Sequence, residues 1–143
     1  LSTELTTFSA ILTFAAELEG TLAAFYESAA QVSGDLAEAF ENNGRKAAKR
    51  RQRLIAIRQD NITEMVLEPI TGLNAEDYTV TDITAPGTPT DRAEALAQAI
   101  TIEGRAEKFY LETGPKLNVT EPRRAFQKMA QEAGDRLAEL KAV

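Results

Sequence analysis

The stretch "ITIEGRAEKFYLE" (100–112) decides the fold. With the residues before it, Leu96, Ala99, Ile100, Glu103, Ala106 and Tyr110 recur at the three-and-four spacing of one helix face. That face is apolar enough to be buried, yet it carries Glu103. A second stretch, "AELEGTLAAFYES" (16–28), places Glu19, Gly20, Phe25 and Tyr26 at the same spacing as Glu103, Gly104, Phe109 and Tyr110. A carboxylate in a core stripe is costly unless it is paired or bound. Its appearance twice in one register marks where a site should lie.

Working outward, helical periodicity dominates. Phe8, Ile11, Leu12, Ala15, Glu19, Leu22, Tyr26 and Ala29 predict a first helix over 3–32. "SGD" (33–35) reads as a turn, with Ser33 or Asp35 able to cap the next helix. Leu36, Phe40, Asn43, Ala47, Arg50, Leu54, Ile57 and Asn61 predict a second helix over 35–64. The character then changes. Residues 66–90 contain Pro69, Pro86 and Pro89 with many threonines, a long connection with short extended pieces expected near 78–84. Thr90 or Asp91 can cap a third helix, with Glu94 reaching back. Gly114 and Pro115 end it, and Phe126, Met129, Ala133, Arg136 and Leu140 mark a fourth helix over 121–141.

The expected fold is therefore all-α: one domain over 1–143 built as a four-helix bundle. Hairpin one (3–64) and hairpin two (90–141) are joined by one long crossover (65–89), long enough to run back along a helix.

Composition removes many functions. Cysteine and histidine are both absent, so there is no thiol nucleophile, no disulfide and no imidazole base or ligand; any metal site would be all-oxygen. A net charge of −6 argues against DNA and anionic membranes as partners. No run is expected to span a membrane, and the N-terminus lacks the basic start of a signal peptide, so a cytoplasmic location is expected. The sequence holds no phosphate loop and no nucleophile elbow.

The two hairpins read as copies. Beyond the first-helix match, Phe40, Ala47, Arg50 and Leu54 correspond to Phe126, Ala133, Arg136 and Leu140 at one constant offset. On these residues the chain resembles the ferritin-like superfamily, closest to its rubrerythrin-like branch, over all four helices, with 66–90 matched least. The resemblance implies a first-helix Glu and a second-helix Glu-x-x-His from each hairpin, together holding two metal ions, usually iron. Glu19 and Glu103 stand at the first-helix ligand positions, and Tyr26 and Tyr110 resemble the aromatic pair that lines such a site.

The departure from that pattern is equally clear. "AAKR" puts Ala47 and Arg50, and "AGDR" puts Ala133 and Arg136, where Glu-x-x-His is required. A guanidinium stays charged and has no lone pair to give a metal. The expectation is a lost di-iron site, with no metal and no cofactor. In its place stands a buried polar cluster of Glu19, Glu103, Arg50 and Arg136, with the small side chains of Ala47 and Ala133 leaving room for the guanidinium heads.

Two other placements stay open. Both arginines can snorkel to the surface, or they can clamp a small anion between the helices, although the two glutamates would repel it. The basic run "RKAAKRRQR" (45–53) reads as a solvated face pairing with acidic neighbours. Gly20, Gly44, Gly104 and Gly134 each cost about 1 kcal/mol in a helix interior, and close helix approach is their expected reason, with Gly20 and Gly104 recurring beside the glutamates. The function expected is a non-catalytic structural, interaction or regulatory module, as a homodimer or with another protein partner. The alternative is a metal-binding, di-iron-type oxidoreductase or iron-handling protein with a carboxylate-only site of Glu19, Glu103 and nearby acids such as Glu107.

Overall fold

The computed structural model describes residues 3–61, 70–84 and 88–143. The described residues are all-helical: α1 (Phe8–Ala30), α2 (Ala37–Asp60), a single turn α3 (Thr81–Thr84), α4 (Arg92–Thr113) and α5 (Thr120–Lys141). The four long helices share one core. Tyr26 packs on Phe40 and Glu19 meets Arg50, so α1 and α2 run antiparallel. Tyr110 packs on Phe126 and Glu103 meets Arg136, so α4 and α5 do the same. Tyr26 reaches Glu103 while Tyr110 reaches Glu19, which makes α1 and α4 antiparallel as well.

Helix α1 begins later than its periodicity suggests. Thr7 is extended and caps the helix, its hydroxyl accepting from the Ala10 amide at 3.0 Å. Residues 3–6 are extended because residues 70–75 pair with them. Leu5 donates to the Leu73 carbonyl, Ile70 to Thr6 and Ala75 to Thr3, and Glu4 and Asn74 form an isolated antiparallel bridge. The extended pairing of the crossover thus lies at 70–75, and the expected extended pieces near 78–84 are instead a turn at Tyr78 followed by α3. Leu73, Tyr78 and Val80 are buried, so the described part of this connection closes the core. Pro69, Pro86 and the expected end of the second helix at 62–64 lie outside the described residues.

The turn between α1 and α2 also differs in detail. Neither Ser33 nor Asp35 caps α2: Ser33 donates to the Ala29 carbonyl, and Asp35 binds Arg92 at 2.7 Å, tying the turn to the start of α4. At that start Asp91 caps, accepting from the Glu94 amide at 2.8 Å, and Thr90 donates to the Glu94 carboxylate. Gly114 stays right-handed and passes the chain into one 3-10 turn with Pro115, rather than closing α4 with a left-handed residue.

Contrary to expectation, Phe8–Ala30 is long and apolar enough to cross a membrane by composition. Half of its apolar window is nevertheless buried within the fold, and that buried face includes Glu19.

The close-approach glycines are not the pair beside the glutamates. A β-carbon at Gly104 would meet open space, and one at Gly20 only the flexible Arg51 side chain. At Gly44 it would sit 3.3 Å from Tyr26 Cβ and 3.4 Å from the Ala23 carbonyl, where α1 and α2 nearly touch. At Gly134 it would strike the Glu107 carboxylate. Gly104→Ala should therefore raise stability by about 0.5–1 kcal/mol through helix propensity, and Gly44→Ala should lower it. Urea melts followed by circular dichroism check this; a destabilised Gly104→Ala with a stabilised Gly44→Ala would contradict it.

A candidate site of crossed carboxylates

Glu19 and Glu103 sit at mid-height on α1 and α4, and both are 0% exposed. Their stripes place them there, since each lies between fully buried apolar residues of its own helix. Opposite them, Arg50 on α2 and Arg136 on α5 are only 8% and 9% exposed. Both guanidinium groups therefore point inward rather than snorkelling to water.

Each carboxylate is bound by two helices besides its own. Arg136 grips Glu103 with two parallel bonds, Nε to Oε2 at 2.8 Å and Nη2 to Oε1 at 3.1 Å. Planar fork-to-carboxylate geometry of this kind is among the strongest polar contacts a protein makes. Tyr26 of α1 donates its hydroxyl to the same Glu103 Oε2 at 2.5 Å. On the other side, Arg50 Nε lies 3.0 Å from Glu19 Oε1, and Tyr110 of α4 donates to Glu19 Oε2 at 2.6 Å. The pattern is crossed. Each arginine ties a glutamate to the other helix of its own hairpin, and each tyrosine ties it to the opposite hairpin. Asn43 of α2 lies close enough to the Tyr26 hydroxyl to offset part of the rise in its pKa, a polar neighbour that sequence spacing does not reveal.

The two halves are not equivalent. Glu103 has partners on both oxygens, whereas Glu19 Oε1 and Arg50 Nε touch by charge without an aligned hydrogen bond. Arg50 Nη2 is also buried without a hydrogen-bond partner. Burial raises the Glu19 pKa above its usual value, and Arg50, the Tyr110 hydroxyl and Arg136 only partly offset this. For Arg136, burial favours the neutral form, but the bonds and charge of Glu103 outweigh it and hold the guanidinium above its usual pKa.

A pair of metal ions does not fit these residues. The guanidinium groups of Arg50 and Arg136 have no lone pair to give, Ala47 and Ala133 offer no ligand atom, and the Glu103 oxygens are already committed to Arg136 and Tyr26. Glu107, the third acid of a carboxylate-only site, leans over Gly134 instead. Among the described residues no three metal-ligating side chains come together.

The tyrosines give a pH test. Burial first, then the charge and hydrogen bond of Glu103, lift Tyr26 well above the usual phenol pKa; burial and Glu19 do the same for Tyr110. Tyr78 is also raised, by burial and by its 2.7 Å bond to Glu112. A phenol whose folded pKa is raised leaves stability intact below its unfolded value of about 10 and erodes it as pH climbs above that. All 3 tyrosines of the chain should therefore ionise together, with unfolding, in one cooperative step. Phenolate absorbance and circular dichroism measured in parallel check this; a tyrosine titrating near pH 10 in folded protein would contradict it.

No protein-family model matches the chain, and no curated protein or solved structure shows significant similarity to it.

Proposed function

We propose that the four long helices form a ferritin-like bundle of rubrerythrin type, made by duplication of a helical hairpin, in which guanidinium groups stand where a di-metal centre would be. On this reading the protein is a non-catalytic structural, interaction or regulatory module. It works as a homodimer or with another protein partner, and it resides in the cytoplasm.

The observation that carries the proposal is the pair of arginines on the pair of glutamates. Arg50 on Glu19 and Arg136 on Glu103 neutralise both carboxylates from the positions of the missing imidazoles. Several paired contacts support duplication. Tyr26 meets Phe40 and Tyr110 meets Phe126, both edge-on. Phe25 against Tyr26 and Phe109 against Tyr110 share nearly the same interplanar angle, 67° and 68°. Two positive groups among the former ligand positions oppose metal binding by charge as well as by the loss of lone pairs.

Metal analysis of the purified protein tests this directly. The parent chain should carry far less than stoichiometric iron, manganese or zinc after exposure to each. The combined variant Ala47→Glu, Arg50→His, Ala133→Glu and Arg136→His should gain affinity for a divalent metal. Tightly held stoichiometric metal in the parent would overturn the proposal, and no gain in the variant would refute the alignment of ligand positions on which it rests.

A further inference from the structure

The outer face of the cluster opens on a cleft of about 450 Å³ between α2 and α5. Arg50 and Arg136 form part of its wall, and Lys46, Lys49, Arg53 and Lys128 surround them. Glu132, Asp135 and Glu139 are the acids of the same cleft, so cations outnumber anions there in a chain whose net charge is −6. Among the described residues, Lys46, Lys49, Arg53 and Lys128 form no ion pair, although those three acids line the same walls. Apart from Arg50, the cleft-facing members of the basic run, Lys46, Lys49 and Arg53, are exposed as the sequence suggests but form no ion pair with neighbouring acids.

A second observation is independent of this charge balance. Arg50 is more than nine-tenths buried, it lines the cleft, and its Nη2 has no hydrogen-bond partner. A guanidinium has two donor edges. Arg136 commits its Nε–Nη2 edge to Glu103, whereas Arg50 holds Glu19 only by charge at Nε. A buried, charged donor left unbonded is unusual, and it leaves Arg50, a wall residue of the cleft, with donor capacity that its own ion pair does not use. Glu19 and Glu103 do not repel such a ligand from the front: they are absent from the cleft lining, and the six cations there outnumber Glu132, Asp135 and Glu139.

We propose that this cleft is a binding site for a phosphate group, with Arg50 as the buried donor and Lys49 and Arg53 as charges near it on α2. Arginine suits the flat, multidentate recognition of a phosphate, and lysines at the mouth add attraction without demanding geometry. The volume accommodates inorganic phosphate or a small phosphate ester. The site goes beyond the reading of the bundle as a metal-free module, and its failure would leave that reading standing.

Calorimetric titration in a phosphate-free buffer, at fixed ionic strength, tests the site with inorganic phosphate and with glycerol phosphate as probes. At least one probe should bind saturably. The double variant Lys49→Ala, Arg53→Ala should bind it about tenfold more weakly, with helicity unchanged. Arg50→Lys, which keeps the charge and loses the planar donors, should weaken binding similarly. Arg124→Ala, on α5 outside the cleft lining, should bind like the parent. Tighter binding of glycerol phosphate assigns the site to an ester, and tighter binding of inorganic phosphate assigns it to the free ion. No saturable binding of either probe, or an equal loss in Arg124→Ala, would overturn the proposal. If Arg50→Lys does not fold, the Lys49→Ala, Arg53→Ala result decides.

Discussion

Two carboxylates buried in the middle of an apolar core constrain the rest of this structure. An isolated buried carboxylate is tolerated only when it is neutralised or richly hydrogen-bonded. Glu19 and Glu103 meet that demand by drawing one arginine and one tyrosine each into the interior. Because the arginines come from the same hairpin and the tyrosines from the opposite one, the carboxylates also set how the hairpins sit together. A rotation of α1 or α4 by one residue would strand a charge, so helix phase is specified by polar groups as well as by packing.

The cluster is formally paired but physically uneven. The Glu103 half is saturated: two bonds from Arg136 and one from Tyr26 account for both oxygens. In the Glu19 half Arg50 is in contact but not aligned, and burial dominates the Glu19 carboxyl enough to raise its pKa. Residues that correspond in type between the two hairpins thus differ in geometry. Asn43 shows the same divergence, since it neighbours Tyr26 on one side while the corresponding position of the second hairpin in the shared register holds Met129. The saturated half is the one suited to holding the fold. The uneven half is the one with donors to spare.

Much of this could be read from residues, and the misses have local causes. The burial of Glu19, Glu103, Arg50 and Arg136 with most of their stripes follows from spacing because the helices are long, although in α4 the expected Leu96 and Ile100 are only half-buried and Ala95, Ile102 and Phe109 lie in the core. The start of α1 did not, because residues 3–6 are drawn into extended pairing with 70–75, a contact with no trace in local propensity. Close approach, expected at all four glycines, holds at Gly44 and fails at Gly104, because repetition beside Glu19 and Glu103 is not the same as proximity. The helices approach closely at Gly44, and Gly104 faces open space. The crossing of the tyrosines between hairpins needs the packing of α1 on α4, which spacing within one helix does not contain.

The central claim is that the buried arginines are needed because the glutamates are there, and not for packing of their own. A mutant cycle on the saturated pair measures this most directly, using Arg136→Met, Glu103→Leu and the double variant in urea melts followed by circular dichroism. Removing one partner of a buried pair costs about 3–5 kcal/mol, while replacing both by apolar groups is often close to neutral. Arg136→Met alone should therefore be strongly destabilising, and adding Glu103→Leu should restore most of the loss. Additive losses, with the double variant less stable than either single one, would contradict the account.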